Sequence, residues 1–269
     1  MEPFQFQSVV HHRRRLIYDV GRFLLLLSVL AAVVAYSTGR MNYNWQWFRV
    51  RPFLFFIEDG RFTAGPLING LWVTLRISAF SLLLSTGLGL LTALMRLSDV
   101  FTARALARGY LELIRNTPLL VQIFFIYFVL SPLLGFGRFA SAVIALSLFE
   151  GAYASEIFRA GILSIPKGQW EAAFSVGLSK AVAYRKVILP QAIRHMLPPL
   201  TSQAVSLIKD SALVSTIAIY DLTMKAQELI AETYLVFELW FTVAAIYLLM
   251  TAVLSFFIRQ MEKRFAFDT

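Results

Sequence analysis

An all-α integral membrane protein with about six spanning helices is the fold class this sequence predicts, and three observations predict it. The chain of 269 residues is 58% hydrophobic and only 15% charged, which leaves too little polar surface to solvate a globule of this size. Several apolar runs approach or exceed the roughly 20 residues that a helix needs to cross a bilayer core. The Lys and Arg residues behind the formal net charge of +9 fall between those runs, as the loops of a membrane protein do, so the charge gives no reason to expect a nucleic-acid partner. With no cysteine, disulfides, iron–sulfur clusters and thiolate zinc sites are excluded. His11, His12 and His195 are too few and too scattered for a metal centre.

The first apolar run, residues 23–38, follows Arg22 and the cluster His11-His12-Arg13-Arg14-Arg15. A basic flank of this kind also precedes signal peptides, but Arg40-Met41-Asn42-Tyr43 offers no small-residue cleavage site, so the run reads as a retained helix. The arginine cluster suits anionic lipid headgroups. Residues 41–61 hold Tyr43, Trp45, Trp47, Phe48, Phe53, Phe55 and Phe56, the composition of an interfacial aromatic belt. Span two covers 70–95, with Arg76 its one charge. Span three covers 117–134; Pro118 suits its first turn, and Phe124, Phe125, Tyr127 and Phe128 suit lipid or helix packing. Span four, 139–162, contains Glu150 and Glu156, and span five, 196–220, contains Lys209 and Asp210. Both need their charges to face protein or water. Span six, 239–258, is uncharged.

Seventeen Lys and Arg residues flank one side of these spans and six the other. The richer side should be cytoplasmic, which puts both termini inside, as an even number of spans requires. It also places the basic loop 159–194 in the cytoplasm. In that loop Pro166 suits a helix start and Gly177 a helix end. Ser179 can cap a second short helix to about Val187, which Pro190 should limit. Trp170, Ala173, Phe174 and Gly177 share one helical face. That face could pack on the chain's own helix ends or enter a groove of another subunit.

The string Glu171-Ala172-Ala173, then Gly177, then Val187-Ile188-Leu189-Pro190 resembles the EAA loop of permease subunits of ATP-binding-cassette importers, with Val187 in place of the usual Ile. Residues 112–122 (ELIRNTPLLVQ), 151–162 (GAYASEIFRAGI) and 207–215 (LIKDSALVS) resemble a narrower branch, the polar amino-acid permeases of the histidine/glutamine type. The resemblance covers about residues 65–263. It implies a type I importer permease fold with a five-helix core and one extra N-terminal helix. The domains are then an N-terminal segment 1–64, the core 65–263 with its coupling loop at 159–195, and a tail 264–269.

The resemblance further implies a subunit in a bacterial cytoplasmic (inner) membrane that translocates polar amino acids. Its implied partners are ATPase subunits, a second permease copy or homologue, and an extracytoplasmic amino-acid-binding protein. The chain has no G-x-x-x-x-G-K-[ST] loop, so ATP and Mg would be bound by the separate ATPase, and no cofactor is expected in this chain. Nor does it contain the H-E-x-x-H or G-x-S-x-G pattern of an intramembrane enzyme. Trp170, Glu171, Ala172, Ala173, Phe174, Gly177, Leu189 and Pro190 would form the ATPase-coupling knob. Glu150, Tyr153, Lys209, Asp210 and Asn116 are the substrate-path candidates. The alternative for the charged ones is structural pairing, for instance a Glu with Lys209 across the bundle, with Glu156 and Arg159 pairing at i and i+3. A stand-alone secondary transporter or ion channel, using the intramembrane carboxylates as a relay, is the competing function.

Overall fold

The computed structural model describes residues 43–265 apart from residue 59, and before them residues 18, 20–29, 32, 33, 36 and 39. It divides into two compact units, Met1–Gln46 and Trp47–Thr269. In the first unit, α1 (Val20–Val29) is an apolar helix. Most of the remaining first span and the Arg13–Arg15 cluster lie outside the described residues.

The second unit opens in the expected aromatic belt, and the chain is not helical throughout. After turns at Trp47–Arg49 and Arg51–Leu54, β1 (Phe55–Glu58) and β2 (Arg61–Ala64) pair antiparallel. The Phe55 and Phe62 rings stack at 5.1 Å. The signal was present in the sequence, since Asp-Gly, flanked by Glu58 and Arg61 with apolar Ile57 and Phe62 beyond them, favours a tight hairpin, and Gly60 takes φ 72°.

The longer helices that follow among the described residues are α2 (Pro66–Leu97), α3 (Phe101–Arg115), α4 (Leu119–Leu134), α5 (Arg138–Leu163), α6 (Lys167–Ser175), α7 (Leu189–Asp210), α8 (Leu222–Thr233) and α9 (Val236–Phe265). By length and composition, α2, α5 and the Val236–Ile258 part of α9 can each cross a membrane, and α3 with α4 adds a fourth crossing if that bent pair is one span. The bundle centres on α2 against α5. One face of α2 carries Ser78, Ser81, Ser85, Gly89 and Ala93, all buried. In lipid the hydrophobic effect does not drive helices together, so close backbone approach over small residues does that work. A Cβ at Gly89 would sit 2.7 Å from the Ala154 Cβ and 3.0 Å from the Gly151 carbonyl. Ser147 donates to the Ser81 carbonyl at 3.4 Å across the same contact. Two thirds of the apolar window of α5 is buried, against 6% of that of α9.

Three expectations need correction. Residues 101–115 are not loop but a helix, α3, burying Ala107, Leu111 and Ile114; it meets α4 at a bend of 106°. The helix after Ser179 does not stop before Pro190. Lys180–Ala183 passes through a π-type turn, Tyr184–Ile188, directly into α7. That wider turn lies where Pro190 lacks its N–H and its ring would crowd the Lys186 carbonyl. Finally, span five starts earlier than expected and ends as helix at Asp210, continuing as a 3-10 turn, Ser211–Ile217. Arg76 is exposed, its guanidinium 5.7 Å from the centre of the Phe139 ring.

Candidate functional site

The loop after α5 forms the expected knob. Pro166 precedes α6, and Gly177 ends it at φ 77°. The Leu178 N–H bonds the Ala173 carbonyl at 3.1 Å and the Gly177 N–H bonds the Phe174 carbonyl at 2.9 Å. These two bonds make the helix-ending motif that favours glycine at the left-handed position. The first alternative for the knob's face, packing on the chain's own helix ends, holds for part of that face, and the rest is exposed. Ala173 is 4% exposed, and Trp170 packs against the chain's own buried cluster that includes Ile162, Ile165, Ile188 and Met196, its ring 6.2 Å from that of Tyr184. Glu171, Ala172 and Gly177 are exposed, and Phe174 is 47% exposed. Gln191 at the start of α7 donates to Gln169 at 3.1 Å, fastening the knob. Leu189 is half-buried, and Pro190 is exposed.

A column of polar side chains rises from the knob along α5. Glu150 is 1% exposed. Its partner is not Lys209, which is exposed. Gln203 of α7 donates to the Glu150 carboxylate, and Asp210, seven residues further along α7, reaches the same carboxylate. Sequence reading missed Gln203, although its seven-residue spacing from Asp210 places both on one helical face. Tyr153 is half-buried, its ring 5.0 Å from that of Phe149. Asn116 lies apart from this group, donating to the Glu112 carbonyl at 2.7 Å and carboxylate at 2.9 Å where α3 ends. Glu150, Gln203 and Asp210 are therefore together, with Tyr153 one turn beyond Glu150, while Asn116 and Lys209 stand outside.

Glu156 pairs with Arg159 at 3.4 Å as the spacing implied, but Arg96 and Arg115 are closer, at 2.6 Å and 3.1 Å. No periodic signal links those two arginines to Glu156, because both lie on other segments of the chain.

Residues 85–267 match the model of the family described as binding-protein-dependent transport system inner membrane component. The glutamine transport system permease protein of Escherichia coli (strain K12) is 42% identical over 201 residues, spanning 74% of this chain and 92% of that protein. The L-cystine transport system permease protein of Bacillus subtilis (strain 168) is 42% identical over 200 residues, spanning 74% of this chain and 86% of its own length. Among solved structures, a chain of an amino acid ABC transporter crystallised with histidines superposes with a TM-score of 0.70 at 39% identity, covering 74% of this chain and 94% of that one.

Proposed function

This chain belongs to the binding-protein-dependent transport system inner membrane components, and we propose that it is the permease subunit of an ABC importer carrying polar amino acids across the bacterial inner membrane. The observation that carries this reading is the likeness to glutamine and L-cystine permeases over nearly their whole length. The chain itself does no catalysis; hydrolysis of ATP belongs to the partner ATPase. The half-covered knob supports a docking role. Trp170 and Ala173 fix it to α5 and α7, and Glu171, Ala172 and Phe174 are left for a cleft in the ATPase, with Gly177 setting the corner and Leu189-Pro190 the return into the bundle. Closure of the ATPase would then push on α5, a two-state element biased by its partner.

In this proposal Glu150 and Asp210, oriented by Gln203, face the amino acid's amino group, and Tyr153 lines the next turn of the path. Asn116 and Lys209 keep only an indirect place, at the ends of α3 and α7. A second permease copy completes the pore, and an extracytoplasmic binding protein delivers the substrate. The knob and both termini are cytoplasmic.

Reconstitution with the ATPase and binding protein in vesicles tests the reading. ATP-dependent accumulation of labelled glutamine or cystine is the expected result, lost when residues 170–177 are disrupted. Equal uptake without ATP would favour a stand-alone transporter, and an ATPase that binds equally well to a chain with that segment disrupted would overturn docking on the knob.

A further inference from the structure

The carboxylate of Glu156 joins three helices at once. Its Oε1 accepts from Arg96 in the last turn of α2 at 2.6 Å and from Arg115, the last residue of α3, at 3.1 Å. Its Oε2 accepts from Arg159, one turn on in α5, at 3.4 Å. The Arg115 guanidinium also lies 5.8 Å from the centre of the Tyr153 ring, within cation–π range. Arg115 stands directly before the 106° bend between α3 and α4.

The position of Glu156 along α5 gives this arrangement a mechanical meaning. Glu150 and Tyr153 precede it by six and three residues, and the knob begins eleven residues after it, with α5 unbroken as far as Leu163. Beyond Glu156, α5 is clamped to the knob and α7 through Phe158, Ile162, Ile165 and Trp170. A push on the knob therefore travels up α5 and meets Glu156 before it meets Glu150. Small-residue packing couples α5 to α2, but α3 touches α5 chiefly through Tyr110, Leu111 and Ile114. Without its acid, the site would hold three guanidiniums facing one another, and like charges repel.

We propose that Glu156 is a positioning residue that locks the inner ends of α2, α3 and α5 into one body, so that movement of the knob reaches the Glu150–Tyr153 stretch undiminished. This rests on the importer reading above. The lock is electrostatic and charge-specific: one acid among three arginines holds, and its removal frees α3 and the bend it carries.

The test uses the full complex with its ATPase. Spin labels on Leu94→Cys, Leu106→Cys and Leu163→Cys, exposed positions on α2, α3 and α5, report the three pairwise distances with and without trapped ATP. In the otherwise unaltered complex the three distances should stay fixed between the two states. Glu156→Gln, and the milder Arg96→Gln, should broaden those that involve α3. ATP hydrolysed per amino acid imported should rise roughly tenfold in Glu156→Gln, the scale of an ordinary coupling energy. The double variant Glu156→Arg with Arg96→Glu keeps one acid among three arginines and should restore the ratio, a rescue that mere packing would not give. Distances that shift on ATP trapping with Glu156 present, or a ratio unchanged in both single variants, would overturn the proposal. Locked distances in a complex that imports no amino acid would overturn the importer reading alone; import with freely shifting distances would overturn the lock alone.

Discussion

Gly177 turns the knob at φ 77°, a conformation that costs an L-residue roughly 1–2 kcal/mol and a β-branched one more. Gly177→Val should therefore open the corner while leaving insertion intact, and Gly177→Asn, which visits that region more readily, should be milder. Membrane levels compared with ATP-driven uptake check this: normal levels with uptake lost are expected for Val, and normal uptake would sink the idea. Glu171→Lys should give the same uncoupling, because its exposed charge lies on the face proposed to dock in the ATPase. A second residue prediction concerns Asp221, which caps α8 by accepting from the Met224 N–H at 2.9 Å. Burial pushes its carboxyl up to about 6, against hydrogen bonds that pull it down. Its pKa is raised on folding, so the stability it contributes is greatest at low pH and is lost as pH rises from the ordinary 3.8 through about 6. Asp221→Asn keeps an oxygen for the cap and should flatten thermal stability across that pH range, measured in detergent. Gly177 was legible in the sequence because a turn at a helix end has local chemistry. Gln203 and Arg96 were not, because their roles depend on which helices meet.

Such meetings are decided by elements, and the bend between α3 and α4 shows how. Breaking the helix at 116–118 frees backbone carbonyls that lipid cannot satisfy. Gln122, buried on α4, donates one amide group to the Ile114 carbonyl at 2.7 Å, the Thr117 carbonyl at 3.0 Å and the Thr117 hydroxyl at 2.9 Å. Gln122→Leu removes these donors and should lower stability by about 1–3 kcal/mol, the usual cost of buried unpaired groups. A fall in the melting temperature of the purified chain would register it; no fall would mean that water or another side chain reaches those carbonyls. Pro118 marks where α4 begins, yet α3 reads as loop in the sequence because its charges outweigh the spacing of Ala107, Leu111 and Ile114. Pro190 misleads in the opposite direction, since a π-type turn absorbs the break. The small-residue face shared by α2 and α5 was harder still to read. Ser81, Ser85 and Gly89 recur at helical spacing, but nothing local says that α5 rather than lipid lies against them.

Over the whole molecule, hydropathy read the helices best where they bury least. α9, which buries almost none of its apolar window, was unmistakable as a run without charge. α5 and α7 carry Glu150, Gln203 and Asp210 inward, and that polarity is what weakened their signal: a helix at the centre of a membrane bundle packs against protein and is relieved of the need to look like lipid. Charge distribution works at the same scale and survives this blurring, because it depends on loops rather than on helix faces. By the sequence count, seventeen cations flank the side expected to carry the knob and six the other, so both chain ends should lie in the cytoplasm; with α7 taken as a crossing beside α2, α3–α4, α5 and α9, residues 1–42 should contribute the sixth. Fluorescent-protein fusions, which mature in the cytoplasm, should light up at both the N- and C-terminus. A phosphatase fused after residue 60 should be active outside. A dark N-terminal fusion beside a bright C-terminal one would mean that the first apolar run does not cross, and the Arg13–Arg15 cluster would then lie on the outer side against the charge rule.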